Sequence, residues 1–452
     1  FRSEYSGGFD VVIGNPPYIT FALGKKQEFE NKEIEYYKEN FPLSSVYKVS
    51  SYLIFIDKSL KLISNNGLLS FIVPNSLYTN YYYSKFREYL IDNFSICSLC
   101  NLEYEVFKDA DTGGSSISIF SKYKIENTKL FLCKNEKEFQ TPYSFNIKQK
   151  EFKKIPDNKF LFSDTLISLW NKSFENSISL GSKNFRFYQG IITGNNKKFL
   201  SKEKIDEKYK PIIRGRDFYK YTPLTSKTYV LFDPKQLWSN TNKEMYLVND
   251  KLIFRQTSDH IVATYDDEQK FSLDSTHIFF DKSENFSHKY LLTIVNSKLL
   301  NFLYQIIVPE IGKVFSQVKG VNLKKLPIKE IQKQSQLPFI QKANTMLSLN
   351  KQKQEKINKF LHRLETNFEI EKFTNKMKSF YNYDFKTLLS ELKKKKIKLT
   401  LSQQDEWEEY FNNYKNEIAE LQQQIDKTDK EIDQMVYELY GLTNEEIEIV
   451  EN

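Results

Sequence analysis

The feature that most constrains this chain is a short apolar strand that runs directly into two consecutive prolines. Residues 9–14 read Phe-Asp-Val-Val-Ile-Gly, and the next four residues are Asn15, Pro16, Pro17 and Tyr18. Each proline fixes its own φ angle and disfavours a helical conformation of the residue before it. The pattern therefore predicts a strand that ends at Gly14 and is followed by a stiff, extended loop. Open α/β sheets bind ligands at this end of their strands.

The loop has the groups needed to hold a planar base that carries an amino group. Prolines donate no backbone hydrogen bond, so the carbonyls of Asn15 and Pro16 should be free to accept, and the Asn15 side chain adds another oxygen. Acceptors on both protons of an adenine amino group favour a pyramidal nitrogen whose lone pair points at a methyl donor. A base inside a duplex must be flipped out to reach such a loop, where Tyr18 could stack on it. The alternative is a plain tight turn, but strand and loop together favour the functional interpretation.

Residues 1–150 alternate apolar strands with helical patterns. Apolar residues at three- and four-residue spacing predict a helix over 51–63, with Gly67 as a left-handed cap that stops it. The alternation predicts an α/β fold, namely part of a Rossmann-like sheet with parallel strands and helices on both faces. A second helix is predicted at 84–93, and further strands are predicted at 68–73, 95–102 and 116–120.

The remainder of the chain divides in two by its pattern. Residues 151–330 are rich in Phe, Tyr, Lys and Arg, with short strand-like runs at 229–232 and 251–255 and a helical pattern at 289–304. This predicts a separate α+β domain. Residues 331–452 have apolar positions at helical spacing and almost no Gly or Pro, which predicts a region of long antiparallel helices that pack on one another or on the preceding domain.

Composition is that of a folded, moderately basic protein. Hydrophobic residues make up 40% of the 452 residues and aromatic residues 15%, which excludes a disordered chain and allows two or three domains. The net charge is +8, from 66 Lys and Arg against 58 Asp and Glu. This excess suits a polyanionic partner whose phosphates it would neutralise, and it is equally compatible with an ordinary basic surface.

The chain has only three cysteines and four histidines, which limits the metal and redox chemistry that it can support. An odd, small number of cysteines argues against a disulfide scaffold and for a reducing cytoplasm. Cys97 and Cys100 form a C-x-x-C, but with only Cys133 besides, a four-ligand zinc site is poorly supplied. We therefore predict no metal and expect buried free thiols. Neither a signal peptide nor an apolar run long enough for a membrane span is seen.

The strand and loop resemble motif IV of the gamma-class adenine-N6 DNA methyltransferases. The helix at 51–63, the segment 67–78 and the segment 105–122 resemble the motifs V, VI and VIII of that family, in order. The resemblance implies that Asn15 to Tyr18 form the catalytic loop and that the methyl donor is S-adenosylmethionine. It also implies that Phe107 packs against the flipped adenine beside Tyr18.

Residues 151–330 resemble the target-recognition domain of TaqI-type and type IIG restriction–modification enzymes. Residues 432–443 resemble the helical tail of the type IIG proteins. The resemblance implies double-stranded DNA as the partner. The matching segments are 189–198, 210–217, 251–257, 290–298 and 326–328.

Three polar loops of this region offer side chains that hold or read DNA. Arg can read guanine and Asn can read adenine by paired hydrogen bonds, whereas Lys mostly contacts phosphates. The structural alternatives are an ion pair of Arg214 or Arg216 with Asp217 and plain surface exposure of the lysines. The candidate DNA-binding residues are Asn195, Asn196, Lys197, Lys198, Arg214, Arg216, Lys313, Gln317 and Lys319.

One departure from the family concerns the cofactor. The family binds S-adenosylmethionine mostly through a Gly-rich loop and an acidic residue upstream of motif IV, whereas Gly7-Gly8 and Gly113-Gly114 lie in other places. We therefore expect a C-terminal fragment that lacks the cofactor half of the sheet and is inactive alone. A nuclease domain, which type IIG enzymes carry N-terminally, is also expected outside this chain, and DNA cleavage by the parent protein is left open.

The leading hypothesis is thus a site-specific adenine-N6 DNA methyltransferase of a restriction–modification system. One alternative is a DNA-specificity module without activity of its own. Another is a methyltransferase that acts on protein glutamine or on RNA adenine. The long recognition domain and the helical tail, residues 151–452, argue against the last of these.

Overall fold

The computed structural model describes residues 7–21, 31–46, 49–107, 114–308 and 316–452. The chain divides into two compact units, Phe1–Lys172 and Ser173–Asn452. Most of the predicted α+β region and all of the predicted helical region fall in the second unit. The division at residues 150 and 330 therefore stays a prediction.

The first unit is built around one six-stranded sheet. Its core packs buried side chains of the sheet, such as Leu69 and Phe120, with buried helical side chains such as Leu60 and Phe86. The strands of this unit are β1 (Phe9–Gly14), β2 (Thr20–Phe21), β3 (Val49–Ser50), β4 (Ile63–Pro74), β5 (Ser95–Leu102), β6 (Ser115–Ser121), β7 (Asn127–Cys133) and β8 (Tyr143–Lys148), of which β2 and β3 form a separate two-stranded sheet. The helices that begin in this unit are α1 (Asn31–Asn40), α2 (Ser51–Leu62), α3 (Ser76–Thr79), α4 (Ser84–Asn93) and α5 (Asp164–Phe174).

The order of strands in this sheet is β1-β4-β6-β5-β7-β8, and the sheet is mixed rather than parallel throughout. β1 pairs with β4 in parallel, and β5 pairs in parallel with β7, a strand that was not predicted, but β6 runs antiparallel to both β4 and β5. β8 is likewise antiparallel to β7. The prediction of a parallel sheet was wrong for these strands. Among the described residues, no crossover helix lies between β5 and β6 or between β7 and β8, and β6 and β8 each pair with the strand that precedes them.

The helix stop predicted at Gly67 was also wrong. Helix α2 ends at Leu62, and Gly67 lies inside β4, where it does not adopt a positive φ angle. The pairing of β1 with β4 shifts register here, from Phe9 opposite Ile63 to Val11 opposite Leu68. A Cβ atom at Gly67 would lie 2.5 Å from the Phe9 carbonyl oxygen, so glycine is needed for close approach of two strands at this irregularity.

The second unit contains two four-stranded sheets and a set of long helices. One sheet has the order β10-β17-β14-β15 and the other β11-β13-β12-β16. The strands are β9 (Ser177–Ser179), β10 (Phe185–Gln189), β11 (Leu200–Ser201), β12 (Tyr209–Ile213), β13 (Tyr229–Leu231), β14 (Lys251–Arg255), β15 (Ala263–Asp266), β16 (Phe271–Ser272), β17 (Thr276–Asp281) and β18 (Pro327–Lys329), and the helices are α6 (Asn196–Phe199), α7 (His288–Asn296), α8 (Lys298–Ile307), α9 (Gly320–Leu323), α10 (Leu337–Phe368), α11 (Asn375–Lys378), α12 (Phe385–Lys394), α13 (Leu401–Tyr440) and α14 (Asn444–Glu451).

The single helix predicted at 289–304 is two helices, α7 and α8, that meet at Ser297. Ser297 has an extended backbone, with φ −64° and ψ 157°, and its hydroxyl caps α8 by accepting from the Leu300 amide. Asn296 is held by two hydrogen bonds to the backbone of Ala263 in β15. The apolar periodicity continues across the break because both helices bury one face, so the pattern alone did not mark the interruption.

Two long helices, α10 and α13, form the predicted antiparallel pair. Ion pairs join Lys342 to Glu431 at 2.6 Å and Lys356 to Glu417 at 2.7 Å. The partner number falls as the first number rises, which fixes the antiparallel direction. Helical spacing of apolar residues thus predicted this region correctly.

The three cysteines are free thiols, as expected, but only one of them is fully buried. Cys133 is buried, whereas Cys97 and Cys100 are half-buried. Cys100 lies beside Cys133 on the neighbouring strand, with the two Sγ atoms 3.8 Å apart, and burial raises the pKa of Cys100 to about 12. Among the described residues, no cluster of metal-ligating side chains and no helix apolar and long enough to cross a bilayer is found.

Acidic and basic side chains surround the start of α8. Asp433 of α13 is 4% exposed, and its Oδ1 accepts a hydrogen bond from the Lys298 backbone amide at 2.8 Å. Burial and the neighbouring Asp429 raise the pKa of Asp433 to about 6, against the opposing effect of Lys220 and Lys298. The stability of this unit should therefore depend on pH in the acid range.

We predict that Asp433→Asn becomes more stable relative to the wild type as the pH rises from about 4 to about 7. Because the folded pKa lies above the unfolded value, the stability contributed by this carboxyl is present at low pH and lost as the pH rises through 6. The amide keeps the oxygen that accepts from Lys298 but cannot ionise. Urea unfolding should give a change on the order of 2 kcal/mol over this range. Asp405→Asn at an exposed position of α13 is the control. A pH profile of stability for Asp433→Asn that runs parallel to that of the wild type would contradict the prediction.

Candidate functional site

The loop Asn15 to Tyr18 leaves the sheet at the carboxyl end of β1. Gly14 is still paired with Phe71 of β4, so the loop starts from a fixed point. Asn15 and Pro17 are exposed, Pro16 is buried and Tyr18 is half-buried. Within the described part of the chain, no hydrogen bond reaches the Asn15 side chain or the carbonyls of Asn15 and Pro16. Among the described residues these predicted acceptors are therefore unengaged, and Asn15 is exposed whereas Pro16 is buried.

Ser51, the first residue of α2, pins the far side of the loop. Its hydroxyl donates to the Pro17 carbonyl and accepts from the Ile19 amide at 2.9 Å. The Ser51 amide in turn donates to the Ile19 carbonyl at 2.9 Å. Three hydrogen bonds thus fix the backbone on both sides of Tyr18, and the carbonyl that Ser51 engages is not one of the two expected to accept from a base.

Tyr18 is held by its hydroxyl and leaves part of its ring accessible. The hydroxyl donates to the Ile72 carbonyl of β4 at 3.0 Å, and partial burial raises the pKa of Tyr18. The ring lies 6.2 Å from the ring of Phe107, with an interplanar angle of 63°. The structure therefore brings together Tyr18 and Phe107, two residues that the resemblance assigned to one site.

Two further aromatic rings, those of Tyr52 and Tyr83, extend the contacts of Tyr18. Tyr52, which is 3% exposed, meets Tyr18 edge to face at 6.4 Å and Tyr83 at 6.3 Å. Its hydroxyl lies 3.0 Å from the Ser76 hydroxyl. Sequence reasoning missed both Ser51 and Tyr52, because each looked like an ordinary residue of a predicted helix; their position at the start of that helix was the available signal.

The edge of the sheet beside the loop is apolar and open. Along β1, Phe9, Val11 and Ile13 are 43%, 60% and 79% exposed. β1 is the last strand of the sheet order, so among the described residues no strand pairs with its other edge. An exposed, hydrophobic edge strand of this kind is a template for pairing with further chain.

A second group of candidate residues lies at one end of the second unit, where three loops are joined through Ser275 and Gln256. The Gly215 amide donates to the Ser275 hydroxyl at 3.1 Å, and the Gln256 amide donates to the Ser275 carbonyl at 2.9 Å. The Val318 amide donates to the Gln256 carbonyl at 2.7 Å. The Arg214–Arg216 loop and the 317–319 segment are thereby held side by side.

The loop that carries Asn195 to Lys198 is tied to the same strands. Ile191 exchanges backbone hydrogen bonds with Ser272 and Asp274, and the Gln189 side chain donates to the Asp274 carbonyl at 3.0 Å. All three predicted loops, as far as they are described, therefore project from neighbouring backbone. We refer to residues 189–198, 214–219 and 316–321 as the loop cluster.

Individual residues of the loop cluster differ in how free they are. The Asn195 and Asn196 side chains have local roles, because the first caps α6 and the second accepts from Thr193 at 2.6 Å. The Lys198 ammonium donates to Gln236 at 2.8 Å, whereas Lys197 is exposed. Gln317 and Lys319 are also exposed, and Lys313 lies outside the described residues.

The two arginines have different surroundings. Arg214 is paired with Asp217, with its Nε 3.1 Å from the carboxylate, which is the structural alternative considered for it. Arg216 is exposed and has no ion-pair partner among the described residues. Arg216 is therefore the better candidate for direct contact with a ligand, and Arg214 for ordering the loop.

We predict that Arg216→Ala lowers the affinity for duplex DNA about tenfold, the usual effect of losing one paired base contact. Titration at several salt concentrations separates two roles. A base contact changes the preference for the cognate sequence and leaves the salt slope unchanged, whereas a phosphate contact weakens all sequences and reduces the slope by about one. Arg363→Ala, an exposed arginine of α10, removes the same charge and should bind as the wild type does. Unaltered binding by Arg216→Ala would remove Arg216 from the interface.

Models of known protein families match three parts of the chain. Residues 1–107 match the family described as Eco57I restriction-modification methylase, and residues 210–328 match the TaqI-like C-terminal specificity domain. Residues 332–436 match a domain of unknown function. The first match contains the loop with Tyr18 and ends at Phe107, and the second contains Arg216 and Lys319.

Curated relatives point to the same class. The chain is 27% identical over 343 residues to a putative type II restriction enzyme and methyltransferase of Methanocaldococcus jannaschii, RM.MjaORFECS2P, covering 71% of the chain and 27% of that protein. It is 26% identical over 204 residues to the type II restriction enzyme and methyltransferase RM.Eco57I of Escherichia coli, covering 43% of the chain and 20% of that protein. The resemblance to type II restriction–modification methyltransferases with a TaqI-like specificity domain is thus confirmed. The chain spans about a quarter or less of the length of these two relatives.

Solved structures resemble the chain only distantly. The type IIL restriction-modification enzyme MmeI in complex with DNA covers 97% of the chain, and the chain covers 55% of it, with 12% identity and a TM-score of 0.42. The DrdV–DNA complex covers 76% of the chain, and the chain covers 44% of it, with 10% identity and a TM-score of 0.40. Scores this low support no inference about function.

Proposed function

We propose that this chain is the base-binding and target-recognition part of a site-specific adenine-N6 DNA methyltransferase of a restriction–modification system. The observation that carries the proposal is the Asn15–Tyr18 loop, which ends a sheet strand with its oxygen acceptors free and an aromatic pair, Tyr18 and Phe107, beside them. The family match of residues 1–107 to restriction-modification methylases supports it.

In this proposal the loop binds and orients the acceptor base. The Asn15 side-chain oxygen and the Pro16 carbonyl accept hydrogen bonds from the two protons of the adenine amino group. Because Ser51 fixes the loop through Pro17 and Ile19, these acceptors do not reorganise when the base arrives, which is the condition for electrostatic stabilisation of the reacting nitrogen. Tyr18 and Phe107 hold the flipped ring by apolar contact.

We propose that the described residues form only part of the site for S-adenosylmethionine. The loop contacts β4 on one side, where Tyr18 is bonded to Ile72, whereas no strand among the described residues pairs with the other edge of β1, whose apolar side chains are exposed. We therefore propose that further strands pair with β1 and hold the cofactor, and that the chain alone transfers no methyl group. The exposed edge also suits the alternative function of a specificity module that acts with a separate catalytic partner.

Target recognition is assigned to the loop cluster. Arg216, Gln317 and Lys319 are exposed on adjacent backbone, which is what direct contact with a duplex requires. The match of residues 210–328 to the TaqI-like specificity domain supports this assignment.

Sequencing of modified adenines in DNA from cells that express the full parent protein tests the proposal. We expect N6-methyladenine at one defined sequence motif, and its absence when Asn15 is replaced by Ala. Methylation of protein or RNA with unmodified DNA would overturn the proposal. Binding of this chain to the motif without any methylation, even in the parent protein, would favour the specificity-module alternative.

A further inference from the structure

Trp238 stands out beside the loop cluster as the most exposed aromatic side chain of the described residues. It is 78% exposed, although tryptophan usually buries most of its large apolar surface. The preceding residue, Leu237, is buried in the core of the same unit. The chain thus turns one side chain into the core and sets the next one in water.

The backbone that carries Trp238 is held in place on both sides. The Trp238 amide donates to the Ile192 carbonyl at 3.0 Å, and Ile192 also exchanges backbone hydrogen bonds with Ser239. The Asn240 side chain donates to the Gly190 carbonyl at 3.0 Å. The exposed indole therefore sits on fixed backbone that runs directly into the loop cluster.

The indole of Trp238 packs closely on the backbone of Gly194. Its φ angle is +75°, which disfavours any side chain, and a Cβ atom there would lie 2.3 Å from Nε1 of Trp238. The indole thus rests on the bare backbone of Gly194 with its other side free. Such an arrangement presents a flat apolar surface in a fixed orientation.

Positive charges lie next to this surface. Lys197 and Lys198 follow Gly194 within four residues, and Lys198 is bonded to Gln236, two residues before Trp238. The other two loops of the cluster repeat the combination, with exposed Tyr219 near Arg216 and exposed Val321 near Lys319. Apolar surface interleaved with basic side chains is the pattern by which proteins contact both the rings and the phosphates of a nucleic acid.

We propose that Trp238 is a DNA-contact residue whose indole packs on an apolar group of a nucleoside, either a deoxyribose ring or a thymine methyl group, while Lys197 and Lys198 contact the flanking phosphates. The proposal rests on the proposed function, because it assigns one contact within the DNA-recognition surface. It adds a residue outside the three predicted loops.

Tryptophan fluorescence of the 452-residue chain gives a direct test. Of the three tryptophans, Trp170 is 1% exposed and Trp407 is half-buried, so Trp238 should dominate quenching by acrylamide. Duplex DNA carrying the target motif should protect it, and Trp238→Phe should lose most of the protectable signal. Duplex in which uracil replaces thymine separates the sources: reduced protection identifies the thymine methyl, and full protection identifies the deoxyribose.

Affinity measurements on variants complete the test. Trp238→Ala should weaken DNA binding about tenfold, the order expected for loss of one ring contact. Gly194→Ala should weaken it as well, because it displaces the indole without removing it. Leu401→Ala, which removes an equally exposed apolar side chain on α13, should bind as the wild type does.

The outcomes separate this inference from the proposed function. Binding to DNA in a mobility-shift assay with unchanged acrylamide quenching would overturn the role of Trp238 and leave the proposed function standing. Absence of any DNA binding by the wild-type chain would overturn both.

Discussion

In the longer methyltransferase of which we propose this chain is a part, replacement of Asn15 by Ala should abolish methyl transfer to DNA while duplex affinity stays unchanged. The Asn15 side-chain oxygen is one of the two acceptors assigned to the adenine amino group, and it is exposed without a partner among the described residues. Removal of one preorganised polar group of this kind lowers the rate by about a hundredfold or more. Affinity should persist because the proposed function assigns contact with the target sequence to the loop cluster and not to this loop.

Two controls sharpen this prediction. Asn15→Asp keeps an oxygen acceptor at the same position and should retain part of the activity. Asn146→Ala, at an exposed position of β8, should leave transfer unchanged. Transfer by Asn15→Ala within a few fold of the wild-type rate would mean that the loop does not bind the acceptor base.

Replacement of Arg87 by Met should lower the free energy of unfolding of the first unit by about 3 kcal/mol. Arg87 is fully buried, and its guanidinium donates to four backbone carbonyls, those of Leu77, Asn80, Asp157 and Asn158, at 2.7–3.0 Å. Burial lowers the pKa of Arg87 to about 10. Methionine fills similar volume but leaves these acceptors without a donor.

Arg87→Met should also loosen the packing around Tyr18 in the candidate active site. The carbonyls that Arg87 engages fix the segment before Tyr83, whose ring contacts Tyr52 and through it Tyr18. Lys85→Met, at an exposed position of the same helix, is the matched control. Denaturant unfolding gives the free energy of unfolding of both variants. Equal values for Arg87→Met and Lys85→Met would mean that the Arg87 guanidinium does not stabilise this unit.

The amino-acid sequence predicted the local elements of the site closely. The strand that ends at Gly14, the helix that begins at Ser51 and the strand at 95–102 have the expected bounds. The antiparallel pair α10 and α13 was predicted from apolar spacing alone. These features depend on neighbours within a few residues, so their signal is present in the sequence itself.

Errors arose where contacts between distant segments override local signals. Gly67 looked like a helix cap, but its lack of a side chain lets the backbone of Phe9 lie close to it. The break at Ser297 depends on Asn296 reaching Ala263 across the unit. The pairing of Arg214 with Asp217, by contrast, was foreseen as an alternative, because both residues lie within one short loop.

The sequence by itself determined the double-proline loop, its free acceptors and the families that it resembles, since proline restricts the backbone wherever it occurs. The resemblance had already assigned Tyr18 and Phe107 to one site, but only the tertiary structure decided that Ser51 holds this loop through Pro17 and Ile19 and that Trp238 stands exposed over Gly194. Each of these depends on two segments distant in sequence meeting at a particular register. That arrangement is set by the packing of the unit that contains both segments and not by the two residues alone.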